Sequence, residues 1–291
     1  MKTFKKILKY VLLIILIPIL YVVGCLIHGT VTDFQPEEVI SLEIDNAKEV
    51  SAIQDSTLSF VIWNVGYGGL GKESNFFYDS GGFLTSGGKM VRTTQENVEK
   101  NIAGAVNYLK QNDSIDFFML QEVDFGSKRS YKINQYEKYQ AALSGYSSTF
   151  SVNFRAPRVP LPVFEPWNVM GKMESGLGTF SKYTPNKATR YQLPGEYPWP
   201  DRIFHLDRCA AFEYFPLANG KELVIVNIHN SAYDSGGTLK QQQMDYLQEK
   251  FQTEYKKGNY LVIGGDWNQR PNGVKAAGFG GQEYEDTKGL V

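Results

Sequence analysis

Four apolar runs of strand length, each stopping abruptly on polar side chains, set the terms on which this chain can fold. They are "FVIWN" ending at Asn64, "FFMLQE" ending at Glu122, "LVIVNIH" ending on Asn227 and His229, and "LVIGGDWN" ending on Asp266 and Asn268. Continuous apolar runs of about 4–8 residues, bounded by glycine and turn residues, read as strands buried on both faces. Strands of that kind need cover on both sides, so the chain must build layers around them.

The elements between the runs say which layers. From Arg92 to Lys110 the apolar positions Val98, Ile102, Val106 and Leu109 recur at helical spacing. A second helix is predicted from about Thr238 to Lys256, with Leu239, Met244, Leu247 and Phe251 on its apolar face. "SGLGTFSKY" and "KATRYQLP" read as paired strands, and "DRCAAFEYFPLANGKELVIVNIH" as a hairpin turning at Ala218-Asn219-Gly220. Strict strand–helix alternation would give one parallel sheet. The hairpins point instead to two packed mixed sheets with helices outside. Between Phe76 and Phe83 lies a glycine-rich aromatic loop, whose rings either pack or meet a lipid or a base.

The N-terminus follows different rules. Lys2, Lys5, Lys6 and Lys9 precede an apolar run from Val11 to Ile27, broken only by Pro18 and small residues. That length is near the lower limit for crossing a bilayer. The lysine flank predicts a cytoplasmic N-terminus and an exported remainder. Three fates fit: an uncleaved anchor, a cleaved signal peptide, or a lipoprotein segment in which Cys25 of "VVGC" is lipidated. Val22 and Val23 depart from the usual lipoprotein pattern there. Membrane attachment by anchor or lipid is the expectation. It makes residues 1–29 an attachment segment, 30–56 a polar linker and 57–291 the globular domain.

Composition narrows the chemistry. With 30 basic and 31 acidic residues the formal charge is −1, so there is no global electrostatic footprint for nucleic acid. The two cysteines, Cys25 and Cys209, exclude a disulfide framework and a cysteine-based metal site. Histidine chemistry is confined to His28, His205 and His229.

Taken singly, an Asn or Asp after a strand is a turn or cap residue, and a lone strand-end histidine is hydrogen-bonded structure. Four such ends together, with oxygen ligands and one histidine, fit a hard-cation site. Oxygen donors suit Mg²⁺ or Mn²⁺. Zinc is disfavoured because no His or Cys pair has ligand spacing. Strand alternation puts Asp266 and Asn268 on one face with Trp267 on the other, and Asn227 and His229 on one side.

"WNV", "LQEVD", "SGLGTFSKY", "NIHN" and "GGDWN", in this order and spacing from about Leu58 to Asn272, resemble the endonuclease/exonuclease/phosphatase (deoxyribonuclease-I-like) superfamily. The resemblance implies an α/β fold of the α+β type, a four-layer sandwich of two packed mixed β-sheets flanked by helices. Here a membrane-anchor helix would precede it. It implies hydrolysis of phosphodiesters or phosphomonoesters in nucleic acids, inositol phosphates or sphingomyelin, with Mg²⁺ or Mn²⁺. By motif, Glu122 would hold the metal with Asn64 beside it, His229 would bond the scissile phosphate, and Asp266 and Asn268 would position the attacking water and the phosphate. Asn227, Arg208, Arg129 and Tyr131 are candidates for substrate contact. No protein partner is evident, and a monomer is expected.

One motif has no counterpart. The family's closing S-D-H-type element is missing before Val291, and no histidine follows His229. The reading favoured is that the sequence continues beyond Val291. The alternative is a member of the fold that binds without turnover. Near-neutral charge weakens the case for a dedicated nuclease, while membrane attachment brings lipid head groups or extracellular nucleic acid into range.

Overall fold

The computed structural model describes residues 2–80, 82–232, 234 and 236–269. Its elements run α1 (Lys2–Val31), β1 (Val39–Ser41), β2 (Phe60–Asn64), α2 (Gln95–Gln111), β3 (Phe117–Asp124), α3 (Gln135–Ala142), β4 (Ser147–Val159), β5 (Gly171–Ser181), β6 (Lys187–Gln192), β7 (Cys209–Pro216), β8 (Glu222–His229), α4 (Thr238–Lys256) and β9 (Tyr260–Asp266).

The strands form two sheets, β2-β3-β5-β4 and β1-β6-β7-β8-β9. Both are mixed. β2 runs parallel to β3 and β8 parallel to β9, and the other pairings are antiparallel.

Side-chain alternation sorts the buried residues into layers. On β3, Phe118 and Leu120 pack with Leu109 of α2 and Tyr139 of α3, whereas Phe117 and Met119 pack with Phe215, Leu223 and Ile225 of the other sheet. On β8, Val224, Val226 and Ile228 pack with Leu247 of α4. The order is therefore helices, sheet, sheet, helix. β8 reads as an unbroken apolar run because each of its faces meets a different layer.

Two glycines allow close approaches at the mouth, Gly264 between the sheets and Gly265 between neighbouring strands of one sheet. A Cβ built on Gly264 would lie 2.4 Å from Ile62 Cδ1 of β2, so only glycine lets β9 approach that closely. Gly265 has φ +141°, and a Cβ there would lie 2.0 Å from the Ile228 carbonyl oxygen. The parallel register between Ile228 and Gly265, and between His229 and Asp266, brings β9 against the Ile228 backbone where only Gly265 leaves room.

Two expectations need correction. Residues 30–56 are not a free linker. Val39–Ser41 pairs with β6 as an edge strand, Asp45 bridges to Ser148, and Ile53 is buried beside Leu217. "SGLGTFSKY" and "KATRYQLP" do not pair with each other. The first is the end of β5, bonded to β3 and β4, while the second is β6 in the opposite sheet. The closing segment around "EYEDTKGLV" lies outside the described residues. The predicted second helix matches α4 from Thr238 to Lys256, and the hairpin is β7–β8.

α1 is the one helix among the described residues long and apolar enough to cross a membrane or act as a signal. From Thr3 to Leu20 its side chains are exposed on every side. From Tyr21 onward one face, formed by Tyr21, Val22, Cys25, Leu26 and Gly29, is partly or wholly covered by the domain.

Candidate active site

The site lies where β2 and β3 of one sheet face β8 and β9 of the other. On β2, Val61 and Trp63 pack toward α2 and α3, so alternation turns Asn64 inward between the sheets. The same rule turns Asn227 and His229 of β8 inward, and with them Asp266 of β9.

Glu122 breaks the rule. It follows Phe118 and Leu120 in parity and would point toward the helices. The β3–β5 register shifts between Leu120 and Val123, and Glu122 has φ +55°. This bulge re-aims the side chain toward the cleft. A left-handed backbone on a glutamate carries a cost that surrounding contacts must offset.

The groups converge on the Asn64 amide. Its Nδ2 donates to Glu122 Oε1 at 3.1 Å and to Asp266 Oδ2 at 2.8 Å, while its Oδ1 accepts from the Gly66 N–H at 2.9 Å. Asn64 thus holds the two carboxylates apart and together, with its own oxygen partly committed to the backbone. Asp266 Oδ1 accepts from the Asn268 N–H at 2.9 Å, an Asx turn with Asn268 at φ +49°. Asn268 Nδ2 in turn donates to the Asn230 carbonyl at 2.9 Å. His229 Nε2 stands 4.0 Å from Glu122 Oε1 and 3.9 Å from Asp266 Oδ2. Those gaps are too long for hydrogen bonds and short enough for one bridging oxygen.

Burial sets the charges. It is the largest cause holding the His229 pKa well below 6.5, with Arg208 and Arg129 adding to it, so the imidazole is neutral near pH 7. Its Nδ1 is buried without a hydrogen-bond partner. Burial also raises the Glu122 pKa. Arg129, the Asn64 amide and Arg208 oppose that, and Asp266 adds to it. Burial lowers the Arg208 pKa, with Glu122 and Asp266 opposing. Its Nη1 is buried and unpartnered, so an unmatched donor stands within electrostatic reach of both carboxylates.

The remaining candidates are spread more widely. Asn227 is fully buried. Its Oδ1 accepts from Gln121 Nε2 at 2.8 Å, and its Nδ2 faces the Leu120 and Gly178 carbonyls and Thr179 Oγ1. Its amide is spent joining the sheets beneath the site. Arg129 pairs with Asp124 at 2.9 Å and lies over the Tyr67 ring, 3.7 Å from its centroid. It lends positive potential from a fixed place. The Tyr131 hydroxyl donates to the Thr93 carbonyl at 2.8 Å.

The sequence alone gives no role to Gln121, Asp124, Tyr67 and Asn230, although Asn230 follows His229 at the end of the same run and Gln121 precedes Glu122. The first two were visible in "LQEVD" as polar residues flanking Glu122. Asn230, in "NIHN", gives its N–H to the Asp266 carbonyl at 2.9 Å and so ties the β8 and β9 ends together.

The donors fit a hard divalent cation. Two partly open carboxylates flank one amide, and the neighbouring acceptors are oxygens. Among the described residues no three His, Cys, Asp or Glu enclose an ion.

The sequence matches the Endonuclease/Exonuclease/phosphatase family profile over residues 61–283. No match is found among curated proteins. Similar solved structures include ANGEL2, a 2',3'-cyclic phosphatase, at 16% identity and TM-score 0.41, covering 58% of this chain and 44% of that one. The human Nocturnin catalytic domain, with bound sulfate, shows 17% identity and TM-score 0.40, covering 58% of each chain. TDP2 from C. elegans shows 15% identity and TM-score 0.46, covering 75% of this chain and 52% of that one. The aligned region thus spans about half the length of these relatives. By its profile, the chain belongs to the endonuclease/exonuclease/phosphatase family, whose enzymes act on phosphoester bonds.

Proposed function

We propose that this protein is a divalent-metal-dependent phosphoesterase, held at a membrane by α1 with its domain on the non-cytoplasmic side. One observation carries the catalytic part. A single amide, Asn64 Nδ2, reaches two carboxylates from opposite sheets, and a neutral histidine stands about one bridging atom from both.

Glu122 would hold Mg²⁺ or Mn²⁺, with Asn64 keeping its carboxylate in place and Asp266 at hand. A divalent cation, when bound, offsets the negative charge of the phosphate and polarises a phosphoryl oxygen. Asp266 orients the attacking water and accepts its proton. The Asx turn and the Asn64 bond fix that carboxylate without consuming all its lone pairs. His229 donates to a phosphoryl oxygen, adding no charge that would compete with the cation. Asn268 anchors the loop behind Asp266, and the unpartnered Arg208 guanidinium is matched to a substrate phosphate.

The phosphodiesters to test are nucleic acid, cyclic nucleotide and phospholipid, with phosphomonoesters alongside. The protein is assayed with Mg²⁺, with a chelator, and with Mg²⁺ restored. Hydrolysis of at least one class, lost on chelation and regained on restoration, is expected. Hydrolysis indifferent to chelation would contradict metal dependence. The same Mg²⁺ binding with no turnover of any class would favour a binding protein on the same fold.

A further inference from the structure

The flank of the domain beside α1 is built as a surface in its own right. Arg158, near the end of β4, lines a groove with Leu20, Tyr21, Cys25 and His28 of α1. Gly29 fits against Ile203 and Phe204, and Trp199 Nε1 donates to Thr30 Oγ1 at 3.2 Å. The domain therefore follows α1 from Thr30 back to about Leu20, roughly 15 Å at 1.5 Å per residue.

That packing conflicts with a simple tether. The apolar run from Val11 to Ile27 is about 26 Å long as a helix, barely the thickness of a bilayer core of about 30 Å. Its last third is the part lying against the domain. An edge of the domain beside Tyr21 that reaches into the membrane interface satisfies both facts.

The side chains on that edge suit the interface. The loop leaving β4 carries Phe164 and Trp167, exposed by 57% and 76%. It is joined to the exposed Phe83–Leu84 turn by backbone bonds from Val163 to the Phe83 carbonyl and from Phe164 to the Leu84 carbonyl. Large exposed aromatics grouped in this way mark a contact surface, and tryptophan belongs at a membrane–water boundary. Lys128, bonded to the Val169 carbonyl at the end of the same loop, lies within electrostatic reach of Arg92 and Arg158. This basic group suits anionic head groups.

We propose that the Phe83–Leu84 and Phe164–Trp167 loops, with Arg158, dock the domain onto the anionic lipid leaflet from which α1 emerges. The proposal rests on the membrane reading of α1. It makes the domain a surface-lying body rather than one swinging on a tether.

The test uses the full chain in phosphatidylcholine–phosphatidylserine vesicles whose acyl chains carry bromine. Flotation reports attachment, and quenching of tryptophan fluorescence by bromine reports which side chains enter the lipid. Flotation with clear quenching is expected, and Trp167→Phe should remove at least half of that quenching without changing flotation. The side chain is so exposed that the fold does not depend on it. Flotation with quenching unaltered by Trp167→Phe would overturn the docking while leaving attachment intact. Shielding of Trp167 from aqueous iodide without bromine quenching would mean that a protein surface covers it, and would also overturn the proposal. Failure to float would remove the membrane reading and the docking with it.

Discussion

Glu122 and Glu213 are both glutamates held between the sheets of one sandwich, and they do different things. Glu213 sits in the middle of β7, faces Thr149 of the opposite sheet and accepts its hydroxyl hydrogen bond. Burial raises its pKa to about 7, opposed by hydrogen bonds from Thr149 and Thr179. Glu122 is also raised by burial. It stands at a strand end on a left-handed backbone, beside a second carboxylate and a neutral histidine. Burial is common to both. Only Glu122 combines convergence from four strands, local strain and donors left unpartnered. Those features separate the candidate site from a polar seam.

The largest effects should fall on the strand-end group. Asp266→Asn is isosteric and its oxygen can keep the Asn268 turn, but it loses the proton acceptor and sets an NH2 against the Asn64 Nδ2 donor. The expected fall in kcat is about 10²–10⁴-fold, with little change in KM and a modest fall in thermal stability. His229→Gln should cost about 10²–10³-fold by removing a donor to developing charge. The double variant should be far less than multiplicative, because each group needs the geometry that the other holds. Steady-state kinetics with Mg²⁺ saturating checks both. Multiplicative losses would mean that the residues act separately.

The polar seam should respond in stability and not in rate. The unfolded Glu213 titrates near 4.5 and the folded one near 7, so the folded state binds the proton more tightly. Its stabilising contribution is complete below pH 4.5, is lost as pH rises to 7, and then stays flat. The loss is about 3 kcal/mol. Glu213→Gln should therefore unfold later than wild type at pH 8 in denaturant, with the gap closing toward pH 4.5. Its kcat should match wild type. A fall in kcat would erase the distinction between the two glutamates.

A smaller effect sharpens the link between them. Gly265→Ala places a Cβ against the Ile228 carbonyl at a φ that favours glycine, costing about 1–3 kcal/mol. Because Asp266 is the next residue, activity should fall further than the stability loss alone explains, measured at a temperature where both proteins are fully folded. Full activity in a folded variant would show that Asp266 does not depend on this register.

Much of this was legible in the sequence, for reasons that can be named. Alternation alone puts Asn64, His229 and Asp266 on inward faces, because their strands keep an unbroken pairing register to the last residue. Glu122 was legible as a residue type at a strand end, but not in its direction. The bulge that turns it has no signature in "LQEVD". Asn227 was assigned by parity to the same side as His229, which is where it lies, yet it is spent on Gln121 two residues deeper. β4 went unread because "SSTFSVNF" puts serine, threonine and asparagine into the buried seam, where an apolar pattern was sought. α3 went unread because its buried positions are Gln135, Tyr136 and Tyr139 rather than aliphatic residues. The three-residue β1 is too short to carry any period, so the segment around it looked like a linker.

Glu122 is the residue proposed to hold a cation between the two sheets, with Asp266 orienting the water beside it. The direct measurement is titration calorimetry of Mg²⁺ into wild type and Glu122→Gln, with far-UV circular dichroism and unfolding midpoints recorded for each. Gln retains an oxygen that can accept from the Asn64 amide but carries no charge. The account predicts an intact fold with Mg²⁺ affinity lowered at least tenfold, about 1.4 kcal/mol. Equal affinities in two equally folded proteins would remove Glu122 from the site and contradict the account.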